Sequence, residues 1–192
     1  AIVDYGPDTN LFSSRYATDE NRAVMHHRID GIMEGGGTNI GDGLRVAQRE
    51  LSKANGEYRV NRLLLMTDGQ PTVGMTDNRS LMGLVGAIHR AGVTTTALGV
   101  GADFNETLMQ RMADMGGGSY GFVRSGDATS LQSMFERDLS QAASTVARAV
   151  TIHYDDTGLV SSVMGRPSSC DQGRCSVTLP DFAAGQHERV VM

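Results

Sequence analysis

Asn61-Arg62-Leu63-Leu64-Leu65-Met66-Thr67-Asp68-Gly69 decides the fold class of this chain. Four consecutive apolar side chains, bounded by a polar pair and a Thr-Asp-Gly turn, predict a short strand buried on both faces. Such a strand needs helices above and below it, and the neighbouring sequence supplies them. Upstream, Gly41–Lys53 carries Leu44, Val46, Ala47 and Leu51 at helical spacing. Downstream, Leu81–Arg90 is helical, and Val93–Gly99 is a β-branched strand closed by Gly99-Val100-Gly101. Asn105–Met115 continues as a helix, Tyr120–Val123 as a strand, and Ala128–Ala149 as a long helix through Leu131, Met134, Phe135, Leu139 and Val146. The alternation predicts an α/β fold: a Rossmann-like, doubly wound, mostly parallel sheet with helices on both faces.

Towards the start, Ala1–Tyr5 and Asn10–Tyr16 flank a Gly6-Pro7-Asp8 turn and predict an antiparallel hairpin. Asp19–Met33 has Val24, Ile29, Ile32 and Met33 at helical spacing before the Gly35-Gly36-Gly37 run. After Val150 the rhythm changes. Val150–Tyr154, Leu159–Met164, Cys175–Leu179 and Arg189–Met192 are strand-like runs with no helix between them. Residues 1–149 are therefore expected to form the α/β domain, and 150–192 part of a β-rich, sandwich-like accessory domain.

Seventeen basic against twenty-two acidic residues give a net charge of −5, which repels a phosphate backbone and argues against nucleic-acid binding. No apolar run approaches the roughly 20 residues that span a bilayer. The two cysteines, Cys170 and Cys175, lack the further ligands a zinc site needs. They are either reduced thiols on a loop or a small loop-closing disulfide. The second alternative favours an extracytoplasmic setting, periplasmic, secreted or cell-surface.

Two pieces carry the functional signal. Functional groups collect at the carboxyl ends of strands in open α/β sheets, and Asp68 lies just past such an end. The Gly35–Gly41 run presents Thr38 at a helix start, where a hydroxyl is a good cap. Each has a bland reading, Thr38 as a helix cap and Asp68 as a turn residue.

Taken together, GGGTNIGDGL (35–44), NRLLLMTDGQPTVG (61–74), TTALGVGADFNETLM (95–109) and GGGSYGFV (116–123) resemble von Willebrand factor A domains. The resemblance is strongest to the bacterial subgroup similar to inter-α-trypsin inhibitor heavy chains, and covers residues 1 to about 150. It implies a non-catalytic protein-interaction or adhesion module built on a metal-ion-dependent adhesion site. In that family one loop brings Asp-x-Ser-x-Ser, a second a Thr and a third an Asp. Thr38 matches the second loop and Asp68 the third, while Gly37, Asn39 and Gly69 flank them as candidate partner-binding positions. The implied ion is Mg2+ (or Mn2+ or Ca2+), and the implied partner is a protein whose Glu or Asp carboxylate completes the shell.

The departure from the family is at the start. The hairpin matches the family's second and third strands, so the first strand and its metal loop are expected to be missing, and ion binding to be weak or absent. That first strand would lie between Ala1–Tyr5 and Leu63–Met66. The expectation is a slot there, with no direct ladder between those two strands, filled by upstream sequence or by another polypeptide. The alternative function is a structural scaffold module with no working metal site.

Enzyme signals are weak. Gly117-Gly118-Ser119-Tyr120-Gly121 fits the G-x-S-x-G string but has its helix before and its strand after, the reverse of what a nucleophile elbow needs. Gly36–Gly43 holds no Gly-Lys-Ser/Thr. His26-His27 lacks a third ligand at zinc spacing, and the eleven methionines read as core filling.

Overall fold

A computed structural model describes residues 1–13, 15–33, 35–53, 60–147, 150–158, 163, 168–179 and 181–191. A hairpin of β1 (Ile2–Tyr5) and β2 (Thr9–Phe12) opens the chain, in register from Ile2 opposite Phe12 to Tyr5 opposite Thr9. Helices α1 (Asp19–Asp30) and α2 (Ile40–Ser52) follow, then β3 (Asn61–Thr67), α3 (Asn78–Arg90), β4 (Val93–Val100), α4 (Glu106–Met115), β5 (Gly117–Val123) and α5 (Ala128–Ser144). Strands β3, β4 and β5 form a parallel sheet with β4 in the middle, as the alternating sequence predicted.

The helices start where side-chain oxygens receive their free N–H groups. Thr18, Asn39, Asp77, Asn105 and Asp127 each accept from the N–H three residues on. Asn39, not Thr38, therefore caps α2. The main core lies on one side of the sheet, where Leu44, Leu81, Val85, Ile88, Leu108 and Met112 from α2, α3 and α4 cover Leu63, Leu65 and Ala97. Strand β5 comes close to β4 because Gly118 has no side chain: a Cβ there would sit 2.2 Å from the Thr95 carbonyl oxygen.

On the opposite side, α5 is anchored by polar chemistry. Asp138, buried, accepts from Arg62 Nη1 at 2.9 Å and from Thr96 Oγ1 at 2.6 Å. This anchor covers only the base of β3. Leu64 is half-buried and Met66 is 42% exposed, so β3 is buried on one face and not on both as its apolar run suggested.

Three further expectations are corrected. Helix α1 ends at Asp30, and none of its residues is buried: Val24, Ile29, Ile32 and Met33 are all exposed, because nothing among the described residues packs on them. Helix α5 ends at Ser144 and not Ala149. The Ser144 and Thr145 hydroxyls turn back onto the Ser140 and Gln141 carbonyls, and a β-branched Thr-Val pair follows. Leu139, inside α5, and Val146, beyond its end, both stand two-thirds exposed and outside any buried stripe.

The C-terminal strands begin with β6 (Thr145–Ala147), five residues before the boundary drawn from sequence, and it pairs with β10 (Phe182–Ala183). Strands β7 (Thr151–Asp155), β8 (Ser168–Asp171) and β9 (Arg174–Thr178) form an antiparallel sheet of order β7-β9-β8. The expected strand at Leu159–Met164 lies outside the described residues apart from buried Val163, and Arg189–Val191 forms no strand. Cys170 and Cys175 are direct cross-strand partners in the β8–β9 hairpin and are joined as a disulfide.

Two outcomes follow. Asp138→Ala would strand the largely buried Arg62 guanidinium, whose Nε already lacks a partner, and should cost about 3–5 kcal/mol in urea unfolding. Alkylation of the unfolded, unreduced chain should add no label at Cys170 or Cys175 by intact mass. Two added groups would place the hairpin in the dithiol state.

Candidate functional site

The carboxyl ends of β1 and β3 and the start of α2 meet at one end of the α/β unit. Thr67 is the last residue of β3, and its hydroxyl donates to the Gly69 carbonyl at 3.0 Å and accepts from the Gly69 N–H at 3.3 Å. This closes a tight turn that carries Asp68 out into solvent. The loop before α2 is held against it by three bonds. The Thr38 N–H donates to Thr72 Oγ1 at 2.9 Å, and the Thr72 and Val73 N–H groups donate back to the Thr38 carbonyl at 3.0 and 3.2 Å.

Glycine is needed where these loops cross. Gly37 has φ +94°, and a Cβ there would lie 2.8 Å from Val73 Cγ2. A Cβ on Gly69 would lie 3.2 Å from Thr38 Oγ1, so the Thr38 hydroxyl sits directly on the Asp68 turn. Asn39, expected to face a partner, is half-buried: its side chain caps α2 through the Asp42 N–H and packs against Gly74.

Tyr5 is the site residue that no motif or spacing pointed to. Its ring lies on Gly43, and its hydroxyl donates to the Met66 carbonyl, linking the ends of β1 and β3. Burial holds the phenol well above the ordinary tyrosine range, the Thr67 hydroxyl opposes that, and the Asp68 charge adds to it. A raised tyrosine pKa stabilises the fold while the phenol is neutral, and that contribution fades only in strong alkali, above about pH 10.

Beneath this end, a cleft of about 1640 Å³ runs between β1 and β3. Gly37, Thr38, Thr67 and Asp68 line its mouth. Strand β1 pairs only with β2, and β3 only with β4, so no ladder joins β1 to β3 among the described residues.

The von Willebrand factor type A domain model matches residues 1–137. The chain belongs to that family. It is 32% identical over 151 residues to the uncharacterized protein YfbK of Escherichia coli, covering 78% of this chain and 26% of the relative. It is 32% identical over 145 residues to human inter-alpha-trypsin inhibitor heavy chain H4, covering 72% and 15%. The chain thus spans about a quarter or less of these relatives. A von Willebrand factor type A structure from Catenulispora acidiphila superposes with a TM-score of 0.76 at 17% identity, over 95% of this chain and 45% of the other. Mussel byssus proximal thread matrix protein 1, in a structure described as having a zinc-occupied MIDAS motif, gives 0.53 at 18% identity, over 80% and 37%.

Von Willebrand factor A domains commonly serve protein interaction, with a metal-ion-dependent adhesion site in some members. Among the described residues that line the mouth, the Thr67 hydroxyl is taken up by Gly69, while Thr38 and Asp68 offer one hydroxyl and one carboxylate. Both are hard oxygens, right in kind for a divalent cation but fewer than the six that magnesium requires. Gly116–Gly121 spells G-x-G-x-x-G but runs from α4 into β5, so no helix N-terminus follows it to receive a phosphate.

Thr38→Ala and Asp68→Ala should each leave the thermal midpoint within about 2 °C of the parent, because both lie on surface loops. Gly37→Ala should lose about 1–3 kcal/mol, through its strained φ and the collision with Val73.

Proposed function

We propose that this chain is a non-catalytic protein-binding module that uses a divalent cation held at Thr38 and Asp68 as its anchor. The observation behind the reading is the joining of two separate loops, 37–39 and 67–69, through Thr72 and Gly69, so that a hydroxyl and a carboxylate share one exposed mouth. A neutral hydroxyl and a single carboxylate leave most of the ion's charge in place. A Glu or Asp carboxylate from a partner then replaces a water and is held by that residual charge. Magnesium suits these oxygens, and manganese or calcium can stand in. Gly37 and Gly69 shape the approach by leaving the rim low, and Asn39 serves by fixing the start of α2.

The small donor set favours a second reading, a scaffold module whose mouth holds no ion and whose contacts come from helix faces and the C-terminal strands. The disulfide between Cys170 and Cys175 supports an oxidising, extracytoplasmic location for either reading.

Manganese alone separates the two. In NMR spectra of the chain, Mn2+ should broaden the amides of Thr38, Asp68 and Gly69 first, with a dissociation constant weaker than about 100 μM, or roughly −5.5 kcal/mol. Asp68→Ala should abolish the effect. Broadening centred elsewhere, or equal in the variant, would establish the scaffold reading.

A further inference from the structure

Sequence spacing offers Cys170 and Cys175 no third ligand, but the fold brings one. Asp156 follows β7, and its backbone N–H donates to the Gly173 carbonyl at 2.8 Å, which carries the ladder one step past Asp155 opposite Arg174. Asp156 is thereby fixed beside the Gln172-Gly173 turn of the β8–β9 hairpin. Side chains alternate along a strand, so Tyr154 and Asp156 share a face. It is also the face of Cys175 and Cys170, which lie in register with Tyr154. Asp155, Arg174 and Asp171, in register with one another, fall on the opposite face.

A carboxylate oxygen of Asp156 and the two sulfurs lie within 4.8 Å of one another. Among the described residues, no other three His, Cys, Asp or Glu donors come so close. Donors around a tetrahedral zinc stand about 3.6–3.8 Å apart, given bonds of about 2.3 Å to sulfur and 2.1 Å to oxygen. Small side-chain rotations therefore close the set on an ion. The Asp156 carboxylate is oriented by accepting from the Gly158 N–H at 3.0 Å. Cys175 is buried, while Cys170 and Asp156 are exposed. One ligand is thus rooted in the sheet, and an ion can reach the other two from solvent.

We propose that the reduced hairpin is a redox-gated site for one thiophilic divalent cation, zinc, held by Cys170, Cys175 and Asp156 with a water in the fourth position. As a disulfide the sulfurs carry no charge to ligate with. An external dithiol opens the bond by supplying two electrons and two protons: both cysteines become thiols, and the reductant leaves as its own disulfide. Zinc then displaces the two thiol protons to solvent and forms two bonds to sulfur and one to the carboxylate. Reoxidation expels the ion. The tip of the β7–β9–β8 sheet is fastened in both states, by a covalent bond or by a metal. This site is independent of the cation reading at Thr38 and Asp68, because thiolates select zinc where hard oxygens select magnesium.

Cobalt(II) is the probe, since thiolate ligation gives it a near-ultraviolet charge-transfer band and tetrahedral geometry gives it strong visible bands. The 192-residue chain, reduced with a dithiol that is then removed under nitrogen, should develop both at one equivalent of cobalt. The dissociation constant should lie below about 10 μM, and added zinc should bleach the bands. The unreduced chain should show neither. Asp156→Ala, at an exposed position, should weaken cobalt binding at least tenfold while keeping the charge-transfer band, and Cys170→Ser should remove the site. Asp68→Ala should change nothing. Hydrogen exchange at β7–β9–β8 reports whether the reduced sheet persists. Three results would overturn the proposal: no charge-transfer band from the reduced chain, whether or not the sheet persists; equal affinity in Asp156→Ala; or loss of the band in Asp68→Ala.

Discussion

Parallel pairing of β3 with β4 is the constraint on which the other parts depend. Its register runs unbroken from Asn61 opposite Val93 to Thr67 opposite Gly99, so both strands finish at one level. Asp68 and Gly101 then leave the sheet at the same end. The loop carrying Thr38 is drawn there because α2 must lay Ile40 and Leu44 on the core face of β3. Strand β4 is buried from Val93 to Gly99, and its polar Thr94, Thr95 and Thr96 are as deep as its apolar residues. Two of those hydroxyls act as attachment points: Thr96 holds Asp138 of α5, and Thr94 holds Asp181 in the C-terminal segment at 2.6 Å. A central strand rich in threonine thus fastens the outer layers through hydrogen bonds that a valine could not make.

The mouth and the cleft beneath it are built by different means. At the mouth, side-chain oxygens and tight turns position Thr38 and Asp68, and the glycines keep bulk away. Along the cleft, strand edges unpaired among the described residues face apolar side chains of α2 and α5 together with charged ones such as Asp4 and Arg62. Tyr5 belongs to both, since its ring packs on Gly43 at the edge of the core while its hydroxyl meets the backbone just below Asp68.

Much of this was legible in the sequence, for reasons that can be named. Strands and helices of the α/β unit announced themselves through periodicity and through the glycine runs and turns that bound them. The placement of Asp68 followed from its position one residue past a strand. Failures came where periodicity stood in for packing. Val24, Ile29, Ile32 and Met33 are spaced for a buried stripe, but spacing does not supply a neighbour to bury them. Val146 fitted a longer α5, but the helix ends at Ser144, and Leu139 lies within it yet on its exposed side. Thr38 looked like a cap, yet the neighbouring Asn39 reaches the Asp42 N–H and takes that role. Tyr5 was invisible because its partner is a backbone carbonyl 61 residues away, and no sequence pattern encodes that.

The chain has no tryptophan and five tyrosines, and one of those tyrosines is Tyr5. With no indole to dominate the near-ultraviolet spectrum, phenol absorption and emission carry a large share of the signal. Tyr5 is the tyrosine whose hydroxyl spans from one strand end to the other at the head of the cleft. Any change in the gap between β1 and β3 must stretch or break that bond and so alter the surroundings of the phenol. The molecule therefore carries its own optical gauge of the separation between two strands, with no dye attached.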